Sequence, residues 1–525
     1  MGVKCPNCGG GMVFDIGKQK LVCPYCSSES SVKEYRLNNA AEHVNDNYSV
    51  NVFRCKNCGA ELTAPEEQTV AYCAYCGGES ILNQKQAETL RPKQIIPFKK
   101  TKEAAVKAYE DAVKKVLYVP RELKDPAFLE GFRGIYLPYW NIDVQIPEKE
   151  LTLKGSRTYT SGGYDYHETY DVQAHVGGQV EGAVYDASAA FDDTLAAQIA
   201  PFDQSGAKDF DEAYLAGFYA DRVTTSPQIY GTIAREQAAE KVCENIQRGA
   251  GKVSVSLPVS KEKRLALIEP KTTGERVSLF PVWFLTWRRG DRVAYSVMNG
   301  QSGKMSIDLP VDLGRFFLYS GAAAVVLFLL LSLLPVFLQP MSMAALCAIL
   351  LLLSGRLLNR EMQQIRIREQ HLYDYGDISG AKKAKVKSVA AHNVGMALLW
   401  VFYALLLLIA YGTTTGSDGT VGPTFLITLI GQIVLSVRLI RNAGGMDHKS
   451  AILPAFIAPM VMGLGLYMGM NPELFPNDGW YYGLAIGCLS GILINSLFAI
   501  GHYNELATRP VPNFFRREGA NNARS

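Results

Sequence analysis

Eight of the eleven cysteines lie near the start of the chain in two quartets of identical spacing, and this pattern constrains the fold more than any other feature. Each quartet reads C-x2-C, fourteen residues, C-x2-C, and the quartets are Cys5, Cys8, Cys23, Cys26 and Cys55, Cys58, Cys73, Cys76. Two residues between cysteines let both thiolates of a turn face one point, and two such turns supply the four sulfur ligands of a tetrahedral Zn2+ site. A glycine follows Cys8 and Cys58, where it permits the positive φ that turns backbone N–H groups toward sulfur. The pattern therefore predicts two zinc ribbons, over residues 1–35 and 50–85, with two Zn2+ per chain.

A disulfide framework is the main alternative for these cysteines. A secreted disulfide domain is preceded by a signal peptide, whereas Met1 to Lys4 offer no apolar segment before Cys5. A ribbon of this size buries too little apolar surface to fold alone, and metal binding on the order of 10–16 kcal/mol supplies the missing free energy. The spacing leaves iron open as an alternative to zinc.

Residues 92–312 are predicted to form an α+β cytoplasmic domain. Apolar periodicity indicates helices over 101–117 and 230–247, and alternation indicates strands over 151–185. The related runs Leu137-Pro-Tyr-Trp140 and Phe280-Pro-Val-Trp283 indicate an internal duplication.

An enzymatic site is not predicted in this domain. His167 and His175 lie among acidic residues on an alternating strand, a pattern more typical of a solvated strand face than of an acid–base or metal centre. The sequence contains no P-loop, no G-x-S-x-G and no H-E-x-x-H.

Residues 316–502 are predicted to form an α-helical membrane domain of about six spans, followed by a tail over 503–525. Apolar runs occur at 316–338, 341–355, 394–411, 421–437, 451–470 and 480–500. The second run is short, so residues 341–358 either span fully or form a hairpin with the first. Lys and Arg concentrate in alternate connections and in the tail, which places the N-terminus and the C-terminus in the cytoplasm of a multi-pass cell-membrane protein.

The charge of the first 90 residues and the residue types in the apolar runs restrict the classes of function that the sequence allows. The first 90 residues hold 8 Lys/Arg and 10 Asp/Glu, a balance that argues against binding a phosphate backbone. The cores of the apolar runs hold no Asp, Glu, Lys, Arg or His, which favours an anchor over an ion-coupled transporter. Gly483, Gly487 and Gly491 permit close helix packing within the bundle or between copies, so a homo-oligomer stays open.

The paired ribbons, the two proline–tryptophan runs, the run Asn-Gly-Gln-Ser-Gly-Lys at 299–304 and Asp308-Leu-Pro-Val-Asp312 together resemble YdjG-like bacterial membrane proteins. These are labelled TFIIB-type zinc-ribbon proteins and are likened to primosomal protein N′ only through their cysteine motifs. The resemblance covers residues 1–340. It implies that the eight cysteines are zinc ligands and that the protein is a non-catalytic membrane partner of a flotillin-like SPFH-domain protein, alongside a TPM-domain protein, in envelope stress.

We therefore expect a membrane-anchored adaptor whose zinc ribbons recruit a protein. Two alternatives stay open: a membrane-tethered nucleic-acid-binding protein, and a transporter or lipid-handling protein.

Overall fold

The computed structural model describes residues 3–38, 47–63, 73–78, 83–188, 190–333, 339–371, 421–443 and 453–514. The strands are β1 Val13–Asp15, β2 Lys20–Val22, β3 Glu29–Ser30, β4 Asn47–Arg54, β5 Glu61–Thr63, β6 Asn83–Leu90, β7 Gln94–Ile95, β8 Arg133–Ser161, β9 Tyr164–Asp186, β10 Lys208–Asp209, β11 Tyr219–Asp221, β12 Ser254–Val255, β13 Lys271–Arg289, β14 Arg292–Asn299, β15 Met305–Ile307 and β16 Arg509–Pro510. The helices are α1 Val32–Asn38, α2 Lys102–Val113, α3 Pro126–Leu129, α4 Asp193–Ile199, α5 Pro227–Gly249, α6 Lys261–Ile268, α7 Leu313–Ser332, α8 Pro340–His371, α9 Val421–Ala443, α10 Leu453–Met470 and α11 Asp478–Ala507.

The strands form two sheets. The first is the small sheet β1-β2-β3 in the first cysteine region, and the second is a sheet of 13 strands. The large sheet includes β4 and β5 from the second cysteine region, because β5 pairs with β11 and β11 pairs with β8. The second cysteine region therefore shares one sheet with the middle domain.

The centre of the large sheet is the antiparallel pair β8 and β13. Tyr139 pairs with Ser278 and Pro281 pairs with Tyr136, so the two proline–tryptophan runs lie side by side. Both strands are buried on both faces over their central part, which explains their near-continuous apolar sequence.

The alternation of β13 divides the interior into two cores. Leu279, Trp283 and Leu285 face the core that contains Cys5 and Cys23 of the first cysteine region. Phe280, Val282 and Phe284 face the core that contains the cysteines of the second region. Because successive side chains of a strand point to opposite faces, the two cysteine regions lie on opposite sides of this strand.

Beyond its pairing with β13, β8 continues with β9 as a long hairpin. The part of β8 from Ile146 to Ser161 extends roughly 50 Å at about 3.3 Å per residue. Its outer part is exposed, and Tyr164 next to the turn is 74% exposed. The His167 ring lies 3.0 Å from Thr158 Oγ1 on this exposed part, and among the described residues neither His167 nor His175 joins a group able to hold a metal ion.

The predicted helices of the middle domain are present. The helix α5 extends beyond the predicted 230–247 at both ends, while α2 ends at Val113, before the predicted residue 117. The last turn after α2 tightens, because the N–H groups of Lys115 and Val116 donate to carbonyls three residues earlier.

Within the described residues, five helices are long and apolar enough to cross a membrane: Leu313–Leu330, Pro340–Ile365, Pro423–Arg441, Leu453–Met470 and Asp478–Ala507. They correspond to five of the six predicted spans, and the remaining run, 394–411, lies outside the described residues. The second is a continuous stretch of 26 residues, which is long enough to span fully. Helices α8, α9, α10 and α11 pack around a shared apolar core, whereas the apolar part of α7 is exposed along its length.

Candidate metal centres

The structure brings the eight predicted cysteines together as two sets of four. The first cluster is Cys5, Cys8, Cys23 and Cys26, and the second cluster is Cys55, Cys58, Cys73 and Cys76. Within each cluster all four Sγ atoms lie within 4.8 Å of one another. Sγ atoms of opposite turns approach to 3.5 Å in the first cluster and to 3.7 Å in the second. A tetrahedral ion with metal–sulfur bonds of about 2.3 Å requires sulfur separations of about 3.8 Å, so both clusters fit a metal ion.

Each cluster is built from two turns with the same backbone hydrogen bonds. At Cys5 the N–H donates to Gly10 O over 2.7 Å, and the Gly9 N–H donates back to Cys5 O over 2.9 Å. The same pair of bonds recurs at the three other turns. Gly9 and Gly59 have φ of +74° and +77°, which confirms the predicted role of the glycine. These turns depend on residues within one short segment, which is why the sequence predicts them.

The first cluster is attached to the sheet domain on one side and exposed on the other. The Phe14 ring packs edge-on against Tyr214 with ring centroids 5.4 Å apart, and Gln19 Nε2 donates to Phe98 O over 2.7 Å. Cys5 and Cys23 are buried, whereas Cys8 and Cys26 are exposed.

The exposed side of the first cluster carries an aromatic ring and an activated thiol. Tyr25 is 79% exposed, and its ring lies over Gly10, where an added Cβ would be 2.6 Å from Tyr25 Cδ2. The Ser28 hydroxyl, 3.0 Å from Cys26 Sγ, together with the Ser28 backbone N–H, lowers the pKa of the Cys26 thiol to about 6. Metal binding requires thiolates, and this environment favours one.

The second cluster is enclosed. All four of its cysteines are buried, and so is Tyr75 between Cys73 and Cys76. The Tyr295 hydroxyl donates to Tyr75 O over 2.6 Å, and the Thr286 hydroxyl donates to Ala74 O. Strands β13 and β14 thus hold the turn at Cys73 from outside the cysteine region.

A buried carboxyl group receives the Tyr75 side chain. The Tyr75 hydroxyl donates to Asp221 Oδ2 over 2.6 Å, the Ser188 hydroxyl donates to the same oxygen, and the Arg222 N–H donates to Oδ1 over 2.7 Å. Burial raises the pKa of Asp221 despite these donors. Burial, and then the charge of Asp221, raise the pKa of Tyr75 well above its usual value, so Tyr75 stays a hydrogen-bond donor.

The segment after α11 also contacts the second cluster. The Phe514 N–H donates to Cys58 O over 2.7 Å, and the Phe514 ring packs edge-on against Tyr75. Upstream, the partly buried Arg509 lies between Asp192, at 2.9 Å, and Asp308. Burial lowers the pKa of Arg509, but the two carboxylates outweigh it and raise that pKa above its usual value.

The segments that flank the apolar helices α7–α11 meet at the sheet domain. The Val311 N–H donates to Asn504 Oδ1 over 2.6 Å, and Asn504 Nδ2 donates to Val311 O over 2.9 Å. Arg292 Nε donates to Thr508 Oγ1 over 2.6 Å. Val311, just before α7, and Thr508, just after α11, are therefore attached to neighbouring parts of one domain.

The sequence places tyrosines beside the cysteines, as shielding rings or as exposed contacts for a partner, but it does not show how the two clusters differ. Tyr25 and Tyr75 both lie beside cysteines, and only the structure shows that the first is exposed and the second buried. In the sequence Arg509 only adds to the positive charge of the tail, whereas in the structure it pairs with Asp308, which lies 201 residues earlier. No signal in a single sequence links residues at that separation.

A comparison with known proteins finds a relative from the family that the sequence resembles. The uncharacterized protein YdjG of Bacillus subtilis (strain 168) is 32% identical over 319 residues, which cover 59% of this chain and 91% of that protein. No protein-family model matches the chain. No solved structure matches it either.

Proposed function

The chain belongs to the family of YdjG, and from this membership and its own residues we propose that it is a non-catalytic integral membrane adaptor. In this proposal both cysteine clusters bind Zn2+ on the cytoplasmic side, and the first cluster recruits a protein partner. The observation that carries the proposal is the difference between the clusters: the first exposes Cys8, Cys26 and Tyr25, and the second is enclosed.

Zinc suits both clusters because all ligands are sulfur. Four thiolates at the observed spacing match the tetrahedral S4 shell of structural zinc sites, which leaves no open position for a substrate. The bound ion would hold together two turns that are separated by fourteen residues in each cluster. An iron centre in the same shell would give a coloured protein, so metal analysis and absorbance decide between the two.

The exposed side of the first cluster is the proposed docking surface. Tyr25 is an amphipathic ring with its position fixed over Gly10, and rings of this kind supply large contact area at low entropy cost. The second cluster lacks such a surface among the described residues, because its Tyr75 points into the Asp221 site. We therefore assign recruiting to the first cluster and a structural role to the second.

A six-span topology with both termini in the cytoplasm fits the attachment of the membrane section. Because Val311 and Asn504 hydrogen-bond to each other, the section begins and ends on one side of the bilayer. An even number of crossings must lie between them, and five helices are described. The apolar run 394–411 would supply the sixth crossing, and the Lys and Arg distribution favours the cytoplasm for the sheet domain.

The resemblance extends the proposal to the kind of partner. It implies a flotillin-like SPFH-domain protein, alongside a TPM-domain protein, in an envelope-stress response. The balance of 8 Lys/Arg against 10 Asp/Glu in the first 90 residues favours a protein partner over a nucleic acid.

Co-purification of the full-length protein from detergent extract, followed by mass spectrometry and metal analysis, tests the proposal. We expect two Zn per chain and an enriched partner that is lost in Tyr25→Ala. The matched control is Tyr164→Ala, which removes an equally exposed tyrosine from the hairpin tip and should leave partner recovery unchanged.

Two results would overturn parts of this proposal. Equal partner recovery with Tyr25→Ala and with wild type removes the first cluster from the recruiting role. Retention of the protein on DNA or RNA in a salt-dependent manner favours the nucleic-acid alternative instead.

A further inference from the structure

Three of the membrane helices, α8, α9 and α11, meet along a line of uncharged polar side chains. Thr428, Gln432 and Ser436 on α9 are all buried, and their four-residue spacing places them on one face of the helix. Asn359 on α8 and Asn495 on α11 are also buried. A sequence reading that searches apolar runs only for charged residues does not detect this line.

The polar groups converge next to Gly355 on α8. A Cβ placed on Gly355 would lie 3.2 Å from Gln432 Oε1 and 3.7 Å from Asn495 Nδ2, so both amides approach the same point. Asn495 Nδ2 donates to Ser354 Oγ over 2.9 Å, and this bond joins α11 to α8.

Two atoms of the line are left without a hydrogen bond. Gln432 Oε1 and Ser436 Oγ are buried and have no hydrogen-bond partner in the part of the chain that the structure describes. Gln432 is only 3% exposed. In hydrocarbon an unsatisfied polar group costs several kcal/mol, so a ligand that bonds to these atoms would be stabilised strongly.

The convergence point lies well inside the bilayer. Asn495 precedes Ala507, the last residue of α11, by twelve residues, which is about 18 Å along a helix. The hydrocarbon core is about 30 Å thick, so the site lies near its middle.

The chemistry of the line limits its ligand. Its groups are amides and hydroxyls without formal charge, so an ion would be buried there without a compensating charge. Divalent cations favour carboxylate ligands, which the line does not supply. Gln432 Oε1 requires a hydrogen-bond donor, and the Ser436 hydroxyl can either donate or accept. A hydroxyl group on a ligand can donate to Gln432 Oε1 and can also bond to the Ser436 hydroxyl.

We propose that Gln432, Ser436 and Asn495 form a binding site for a small neutral hydroxyl-bearing molecule, water or a short polyol, in the middle of the membrane bundle. The bundle then does more than anchor the sheet domain. This inference does not depend on the metal clusters or on the adaptor role.

Solid-state NMR of the full-length protein tests the site. Protein labelled with 13C-glutamine is reconstituted in vesicles of deuterated phosphatidylcholine, and proton magnetisation is transferred to the Gln432 carbons. One sample contains H2O and deuterated glycerol, and the other contains D2O and protonated glycerol, so the two arms separate water from polyol. Loss of signal in Gln432→Leu, or in Gln432→Met if the first variant does not fold, identifies the Gln432 signals.

In at least one arm, Gln432 should receive magnetisation at about the rate of Gln179, which is exposed on the hairpin. Ser436→Ala should slow that transfer, because it removes a second contact to the ligand. Absence of transfer to Gln432 in both arms would show that the polar line only joins helices, and the proposal would be wrong.

Discussion

Replacing Tyr75 by Phe tests whether the sheet domain holds the second cluster closed. The change removes one hydroxyl, which donates to Asp221 over 2.6 Å, and keeps the ring between Phe284 and Phe514. A hydrogen bond of this kind stabilises the closed state by about 1 kcal/mol when its acceptor is neutral and by up to roughly 3 kcal/mol when its acceptor is ionised. The cluster should therefore open more easily by a factor of roughly 5 to 150, a range that covers both protonation states of Asp221.

Zinc release to an excess of a chelating dye measures this opening. We expect two phases from the purified, zinc-loaded protein: a fast one from the exposed first cluster and a slow one from the second. If zinc leaves the second cluster only after the cluster opens, Tyr75→Phe should accelerate the slow phase by the same factor of roughly 5 to 150. Tyr25→Phe makes the same chemical change beside the first cluster, where the ring is exposed, and should alter neither phase.

The fast phase is an internal reference for this experiment. A slow phase that keeps its wild-type rate in Tyr75→Phe would refute the idea that the Asp221 contact holds the cluster closed. An equal acceleration of both phases would point to a general loss of stability instead.

Three further predictions concern the junction, the clusters and the topology. Arg509→Met leaves the partly buried Asp308 without its cation, which should cost up to roughly 3 kcal/mol and lower the melting temperature in a thermal scan, and Arg509→Lys should restore part of the loss. Cys8→Ser and Cys73→Ser should each remove one Zn per chain by metal analysis, but only Cys73→Ser should make the sheet domain sensitive to limited proteolysis, because only its cluster is fully enclosed. Glu473→Cys, in the exposed connection between α10 and α11, should react with a membrane-impermeant maleimide in intact cells, whereas Tyr164→Cys, at the exposed hairpin of the sheet domain, should react only after permeabilisation.

Each of these has a contrary outcome. An unchanged melting temperature in Arg509→Met would mean that the ion pairs contribute nothing net. Equal protease sensitivity of the two serine variants would contradict the different roles of the clusters. Labelling of Tyr164→Cys in intact cells would invert the topology.

The sequence predicts best those parts of the fold that depend on neighbouring residues. The spacing of Cys5 and Cys8 specifies the turn, and the glycine at position 9 specifies its φ, because all the bonds of that turn lie within six residues. The helix α5 follows from apolar periodicity in the same way.

The differences between the clusters could not be predicted, because they arise from contacts between distant segments. Tyr75 is enclosed by Asp221 and Tyr295, which lie 146 and 220 residues further along the chain. The polar line in the membrane bundle has a similar origin, since Gln432 matters only because α8 and α11 bring Gly355 and Asn495 beside it.

The contact between Phe514 and the second cluster also sets an order of events during synthesis. Cys58 leaves the ribosome early, but the N–H group that donates to its carbonyl belongs to a residue that follows the last membrane helix. Because domains form as the chain emerges, the contacts of the first cluster with Phe98 and Tyr214 can form before the apolar helices are made, whereas the contact of Phe514 with the second cluster forms only after α11 has been made. The full enclosure of the second cluster is therefore completed only after the chain has been made as far as Phe514, so a chain that stalls before this residue should release a metal ion from the second cluster faster than the complete protein does.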